Sequence, residues 1–183
     1  TLNNDPPLNE IDETLNVTAS ASSGATGTDI AIGTITDNDL PVVSIEADTL
    51  NNGDSVEEGT ALSYVVSLSA VSDQDAVVAL SFSGGTADNT TDYTPIFYSD
   101  AGLTEVITSL TFTAGETDKS IYVGTLDNDP PFNEVNETVN VTVAGAAGAT
   151  GIDEAVGTIT DSNLPVVSIE PDTQNNGDIV EEG

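Results

Sequence analysis

Hydrophobic residues alternate with small polar ones along much of the chain, in short runs with a period of two. That period marks strands that turn one face to a core and the other to water. In "LSYVVSLS", Leu62, Tyr64, Val66 and Leu68 fall on one face, and in "TVNVTV" Val139, Val141 and Val143 do the same. "AVVALSFS", "SLTFTAG", "KSIYVGTL" and "AVGTIT" are further Thr- and Val-rich runs, separated by the Gly, Asp and Asn residues that close turns. No stretch shows a helical period with a cap. Roughly seven short strands in about 120 residues predict an all-β fold, an antiparallel, immunoglobulin-like β-sandwich.

The pattern repeats. Sliding the chain by 124 residues sets Thr1–Gly59 on Thr125–Gly183 with about 41 of the 59 positions identical, which makes the sequence a tandem array. "GTITD" and "LPVVSIE" each occur twice, and "LPVVSIE" follows a polar Asp-rich segment both times, as the first strand after a junction would. The expected organisation is the C-terminal strands of a preceding repeat over 1–39, one complete repeat over 40–163 and the first strands of a following repeat over 164–183. Neither flanking piece has enough strand to bury a core alone. Each is completed either by more of the same chain or by neighbouring copies.

Composition removes several chemistries. The 183 residues hold 32 Asp and Glu against one cation, Lys119, for a formal net charge of −31, with no His and no Cys. Imidazole bases, thiol nucleophiles, soft-metal sites and disulfides are therefore excluded. A single cation leaves no nucleic-acid footprint, and no apolar run reaches the length of a membrane span. Disorder does not fit either, because 37% of the residues are hydrophobic and they recur in strand-like runs. The aromatic residues Phe82, Tyr93, Phe97, Tyr98, Phe112, Tyr122 and Phe132 are expected in core or loop packing.

The carboxylates are concentrated in loops. Glu57 and Glu58 precede the "ALSYVV" strand, Asp92 lies in "TTDYT", Asp127 to Glu137 link two strands, and Asp161 ends the last. Alternate strand ends of an antiparallel sandwich share a pole, so these loops can converge. Like charges a few Å apart repel by several kcal/mol even at an effective dielectric of about 20. A hard divalent cation resolves that repulsion, and calcium takes six to eight oxygen ligands of the kinds present here. The segment "DTLNNGD", Asp48 to Asp54, could add a further ion site but reads first as a turn.

The ordered motifs "VEEGTALSYVVSLS", "GGTADNTTDYT", "LTFTAGETDKSIYVGTLDND", "NEVNETVNV" and "GTITDSN" resemble the Calx-β domain over nearly all of residues 40–163. The resemblance implies calcium at one pole of a sandwich, held by Glu58, Asp92, Asp127, Asp129, Glu134, Glu137 and Asp161. Through the repeat it extends to Asp5, Glu10, Glu13, Asp37 and Asp39 in the preceding unit and to Glu182 in the following one. The chain departs from the family pattern where Asn128 interrupts an Asp run, where Pro130 and Pro131 lengthen the loop, and where the final acidic run thins to Asp161-Ser162-Asn163.

The expected function is that of a calcium-binding structural extender repeat in an extracellular bacterial adhesin or surface protein, with no enzymatic activity. Its partners would be adjacent repeats or neighbouring copies, and any adhesive ligand would bind elsewhere. A self-assembling filament or sheath subunit and a calcium sensor module are the alternatives. At the junction "TITDNDLPVVSIE", Pro41 restricts the backbone of Leu40 and leaves almost no linker. An ion on Asp37, Asp39, Glu10 and Glu13 is expected to set the angle there, and the junction to hinge without it.

Overall fold

The computed structural model describes residues 6–128, 134–161, 163 and 165–169. Strands β1 (Glu13–Ser20) and β2 (Thr28–Ile35) form a separate antiparallel hairpin. Ten strands follow: β3 (Val43–Ala47), β4 (Ser55–Glu57), β5 (Ala61–Leu68), β6 (Ala76–Gly85), β7 (Phe97–Tyr98), β8 (Val106–Ile107), β9 (Ser109–Phe112), β10 (Asp118–Gly124), β11 (Glu137–Ala147) and β12 (Ile152–Thr160). They make two five-stranded sheets, in the orders β3-β5-β10-β7-β8 and β4-β12-β11-β6-β9. Nearly all pairings are antiparallel; β4 runs parallel to β12. Three of the ten strands are pieces of two or three residues, too short to display an alternation, which is why the sequence suggested only about seven.

The alternation read from the sequence becomes the core. Val43, Ile45, Leu62, Tyr64, Val66, Leu68, Ile121 and Val123 from one sheet face Ala76, Val78, Leu110, Phe112, Val139, Val141, Val143, Ala155 and Ile159 from the other, all buried. Tyr64 crosses the core, and its hydroxyl donates to the Val139 carbonyl at 3.1 Å. Gly157 on β12 lets it pass: a Cβ there would stand 2.5 Å from the Tyr64 hydroxyl and 2.7 Å from Leu62. The aromatic residues pack as expected, with Phe82 stacked on Phe97 at 4.3 Å and tilted against Tyr93 at 5.3 Å; Phe132 lies outside the described residues.

The β1–β2 hairpin has the register of β11–β12 shifted by 124 residues: Glu13 pairs with Ile35 as Glu137 pairs with Ile159. Its environment differs. Leu15, Val17, Ile30 and Ile32 are each more than half exposed, while Val139 and Val141, the equivalents of Leu15 and Val17, are fully buried. The hairpin thus repeats the pairing of β11 and β12, but as a two-stranded sheet, where β11 and β12 lie within a five-stranded one.

The antiparallel weave sorts the loops to two ends. One pole collects the end of β4, the start of β5, the ends of β6, β10 and β12, and the start of β11. The opposite pole collects the β5–β6, β9–β10 and β11–β12 turns. Lys119 lies toward that second end of β10, about 17 Å along the strand from Gly124, and is engaged by Glu116 at 2.8 Å.

Candidate metal centre

Backbone bonds tie the loops of the first pole together. Thr125 N donates to Thr60 O at 2.8 Å, Leu126 N to Asp92 O at 2.9 Å, and Glu58 N to Thr160 O at 3.2 Å. Thr60 N donates to Thr125 Oγ1 at 3.0 Å. Four chain segments far apart in sequence are thereby pinned side by side, and each carries a carboxylate.

Asp92 is central. It is buried, and its carboxylate accepts from the backbone N–H of Asp88, from Thr91 Oγ1 at 2.7 Å and from Asn128 Nδ2 at 3.2 Å. Glu137, at the start of β11, lies against it. Burial, a hydrogen bond with Asp92 and the negative charges of Asp92, Glu134 and Glu58 push the Glu137 carboxyl up from 4.5 to about 7. A carboxylate beside others cannot ionise cheaply, so Glu137 gives up its proton well above the usual Glu range. Asn128 Oδ1 is a hard oxygen donor buried at the same place, and among the described residues it accepts no hydrogen bond. The oxygen-only donor set and this orphaned carbonyl fit a calcium ion.

Glu134 connects this cluster to the end of β12: its N–H donates to Asp161 Oδ2 at 2.6 Å, and Asp161 Oδ1 accepts from Asn163 N at 2.6 Å. The preceding unit reproduces the clasp, with Glu10 N on Asp37 Oδ2 at 2.6 Å and Asp39 N on Asp37 Oδ1 at 2.9 Å. The N–H groups of Asp39 and Glu10 hold the Asp37 carboxyl below the usual carboxylate range.

The structure thus brings Glu58, Asp92, Glu134 and Glu137 together, with Asp161 reached through the Glu134 backbone. Asp127 is exposed at the rim, its Cβ 3.3 Å from where a Gly59 Cβ would stand. Asp5, Asp129 and Glu182 lie outside the described residues. Glu13 and Asp39 are exposed. Among the described residues no three acidic side chains are gathered closely enough to hold an ion as they stand. Asp48 in "DTLNNGD" caps a single 3₁₀ turn: it accepts from Asn51 N at 3.1 Å, Asn51 Nδ2 at 2.8 Å and Ser63 Oγ at 3.1 Å, bonds that keep its carboxyl below the usual range. Sequence reasoning treated Asn128 as an interruption of an acidic run; its side-chain amide could have been read as a ligand type calcium accepts.

No family model matches the chain, and no curated protein matches it. Among solved structures it is similar to the apo form of the Calx CBD1 domain, at 16% identity and a TM-score of 0.48, over 67% of this chain and 99% of that one. Calx domains are therefore among its structural neighbours. CBD12 from CALX1.2 aligns at 15% identity and a TM-score of 0.44, over 63% of this chain and 43% of that one. A two-domain protein of unknown function from Bacteroides fragilis NCTC 9343 aligns at 10% identity and a TM-score of 0.36, over 66% and 46% respectively. The chain spans less than half the length of these last two. Among the described residues no helix is long and apolar enough to cross a membrane.

Proposed function

We propose that the chain is a calcium-binding structural extender segment of an extracellular bacterial adhesin or comparable surface protein, without catalytic activity. The observation that carries this reading is the pole at which Glu58, Asp92 and Glu134, from three connections, crowd the Glu137 carboxyl and hold it up at about 7. The tandem repetition supports it, because the clasp on Asp161 recurs on Asp37. Glu58, Asp92, Glu134, Glu137 and Asp161, with Asp127 and the side-chain oxygen of Asn128, would hold the ion. Calcium would supply two positive charges where the protein alone answers the crowding by holding the Glu137 carboxyl up. The chain's own part is to keep the four loops pinned and the donors hard.

Affinities of about 10⁻⁴ to 10⁻³ M are typical of extracellular calcium modules, and ten times that concentration adds about 1.4 kcal/mol per site. Export to a calcium-rich medium would then stabilise the fold. The test is thermal melting in calcium and in magnesium at matched ionic strength. Calcium is expected to raise the midpoint markedly and magnesium little, since magnesium demands a tight octahedron and dehydrates reluctantly. Equal shifts with both ions mean generic screening and end the specific-site reading. A filament subunit is the second reading, for which the exposed Leu15, Val17, Ile30 and Ile32 would offer an apolar face to a neighbour; a monomeric mass in dilute solution removes it.

A further inference from the structure

The acidic loop of the preceding unit is seated on the opposite pole of the complete one. Leu8 N donates to Val71 O at 2.9 Å and Asp73 N donates to Leu8 O at 2.9 Å, a short parallel bridge centred on Ser72. Asn9 Nδ2 donates to Ser72 Oγ at 3.0 Å, and Gln74 Nε2 donates to both the Asn9 and Glu10 carbonyls at 3.0 Å. Asn9 N donates to Asp39 O at 2.8 Å, which fastens the same segment to the end of its own unit just before Leu40.

The receiving surface is built for this. Ser72 is buried, its hydroxyl donates to Gln74 O at 2.6 Å, and its carbonyl accepts from Gly115 N at 2.9 Å, so the β5–β6 turn is anchored on the β9–β10 turn. Gly148 lies in the β11–β12 turn with φ +66°, and a Cβ there would stand 2.7 Å from Asn9 Nδ2 and 2.7 Å from Asp75 O. Asn9 itself adopts φ +55°, a left-handed conformation that Asn tolerates better than most residues. Three turns of the complete repeat thus form one socket, and a Leu-Asn-Glu segment fills it. That segment recurs in sequence 124 residues later as Phe132-Asn133-Glu134.

We infer that the Val71–Gln74 turn is the receptor by which a repeat grips the repeat before it, and that these hydrogen bonds, without any ion, fix the angle between them. Five bonds on two adjacent sides of a near-absent linker leave the junction no free dihedral to hinge about. The inference does not depend on calcium binding at the acidic pole.

The chain has no Cys, so two spin labels can be placed through Thr18→Cys in the hairpin and Ser81→Cys on β6, both exposed. In chelator, the interlabel distance distribution of the otherwise unaltered protein is expected to be narrow. With Asn9→Ala and Gln74→Ala added it should become about twice as broad, as a released hinge would. Thr26→Ala, in the hairpin turn away from the socket, should leave the width unchanged. Thermal melting confirms that the complete repeat stays folded in each variant, since Asn9 and Gln74 are outside the core. A broad distribution for the unaltered protein in chelator, or an unchanged width in the double variant, overturns the inference. Calcium effects on the melting midpoint are read separately, so failure of the ion site and failure of the socket are distinguishable.

Discussion

Replacing Glu137 with Gln separates the electrostatic cost of the acidic pole from its ligand role. In the ion-free protein the Glu137 carboxyl titrates at about 7 against 4.5 for an ordinary Glu. Below 4.5 it is protonated in both folded and unfolded chains and costs nothing. Between 4.5 and about 7 the unfolded chain loses the proton while the folded one keeps it, so stability falls as pH rises, and above 7 the loss is complete. At 1.36 kcal/mol per pH unit that interval is worth about 3 kcal/mol; at a half-buried position solvent screening reduces it to about 1 to 2 kcal/mol. E137Q removes the ionisable group. In chelator at pH 8 the variant should therefore melt about 3 to 10 °C above the parent, with the gap closing near pH 4. In millimolar calcium the order should reverse, because the variant has lost a charged ligand. Melting curves followed by circular dichroism at the two pH values, with and without calcium, give all four numbers. A variant that is destabilised equally at pH 4 and pH 8, or that gains as much from calcium as the parent does, refutes the reasoning.

Gly157→Ala should destabilise the complete repeat by about 1 to 3 kcal/mol through overpacking against Tyr64 and Leu62, while Gly33→Ala, whose Cβ would meet nothing nearer than 3.9 Å, should leave the melting midpoint of this segment unchanged; denaturant titration of the two variants checks both. Tyr64→Phe leaves the buried Val139 carbonyl without its side-chain donor and should cost about 1 to 2 kcal/mol, and a loss below the error of the titration would show that the bond across the core is not needed.

Much of the fold could be read from the sequence because its physics is local. The faces of β5 and β11 are those that the period of two assigns, and turn residues mark their ends. The short strands β4, β7 and β8 escaped, since two or three residues carry no period and their pairing is decided by neighbours distant in sequence. At the acidic pole, the carboxylates of Glu58, Asp92, Glu134 and Glu137 were visible as loop residues, and their convergence followed from strand alternation. The upward shift of the Glu137 carboxyl was not visible, because it depends on side-chain burial and on which loop lies innermost. The socket was invisible for another reason. Ser72 and Gln74 fall within residues 60–124, which the chain contains only once, so the repeat comparison that exposed the acidic loop had nothing to set beside its receptor.

The expectation that an ion sets the angle at the junction assigns two tasks to one device, and the socket inferred above would divide them. Glu10 shows how: its N–H is held by Asp37 at the acidic pole of its own unit, and its carbonyl is held by Gln74 of the next. The loop that would contribute to an ion site is thus also the loop that fills the socket. The Asp37 carboxylate is favoured by the N–H groups of Asp39 and Glu10, bonds that order the loop within its own unit. Hydrogen bonds to Val71, Ser72 and Gln74 are directional, so they can select an angle. Calcium would then govern whether the loop is ordered enough to be gripped, and the socket would govern where the next repeat points. On that division, chelation weakens each unit first and leaves the direction of the array intact until the loop itself melts.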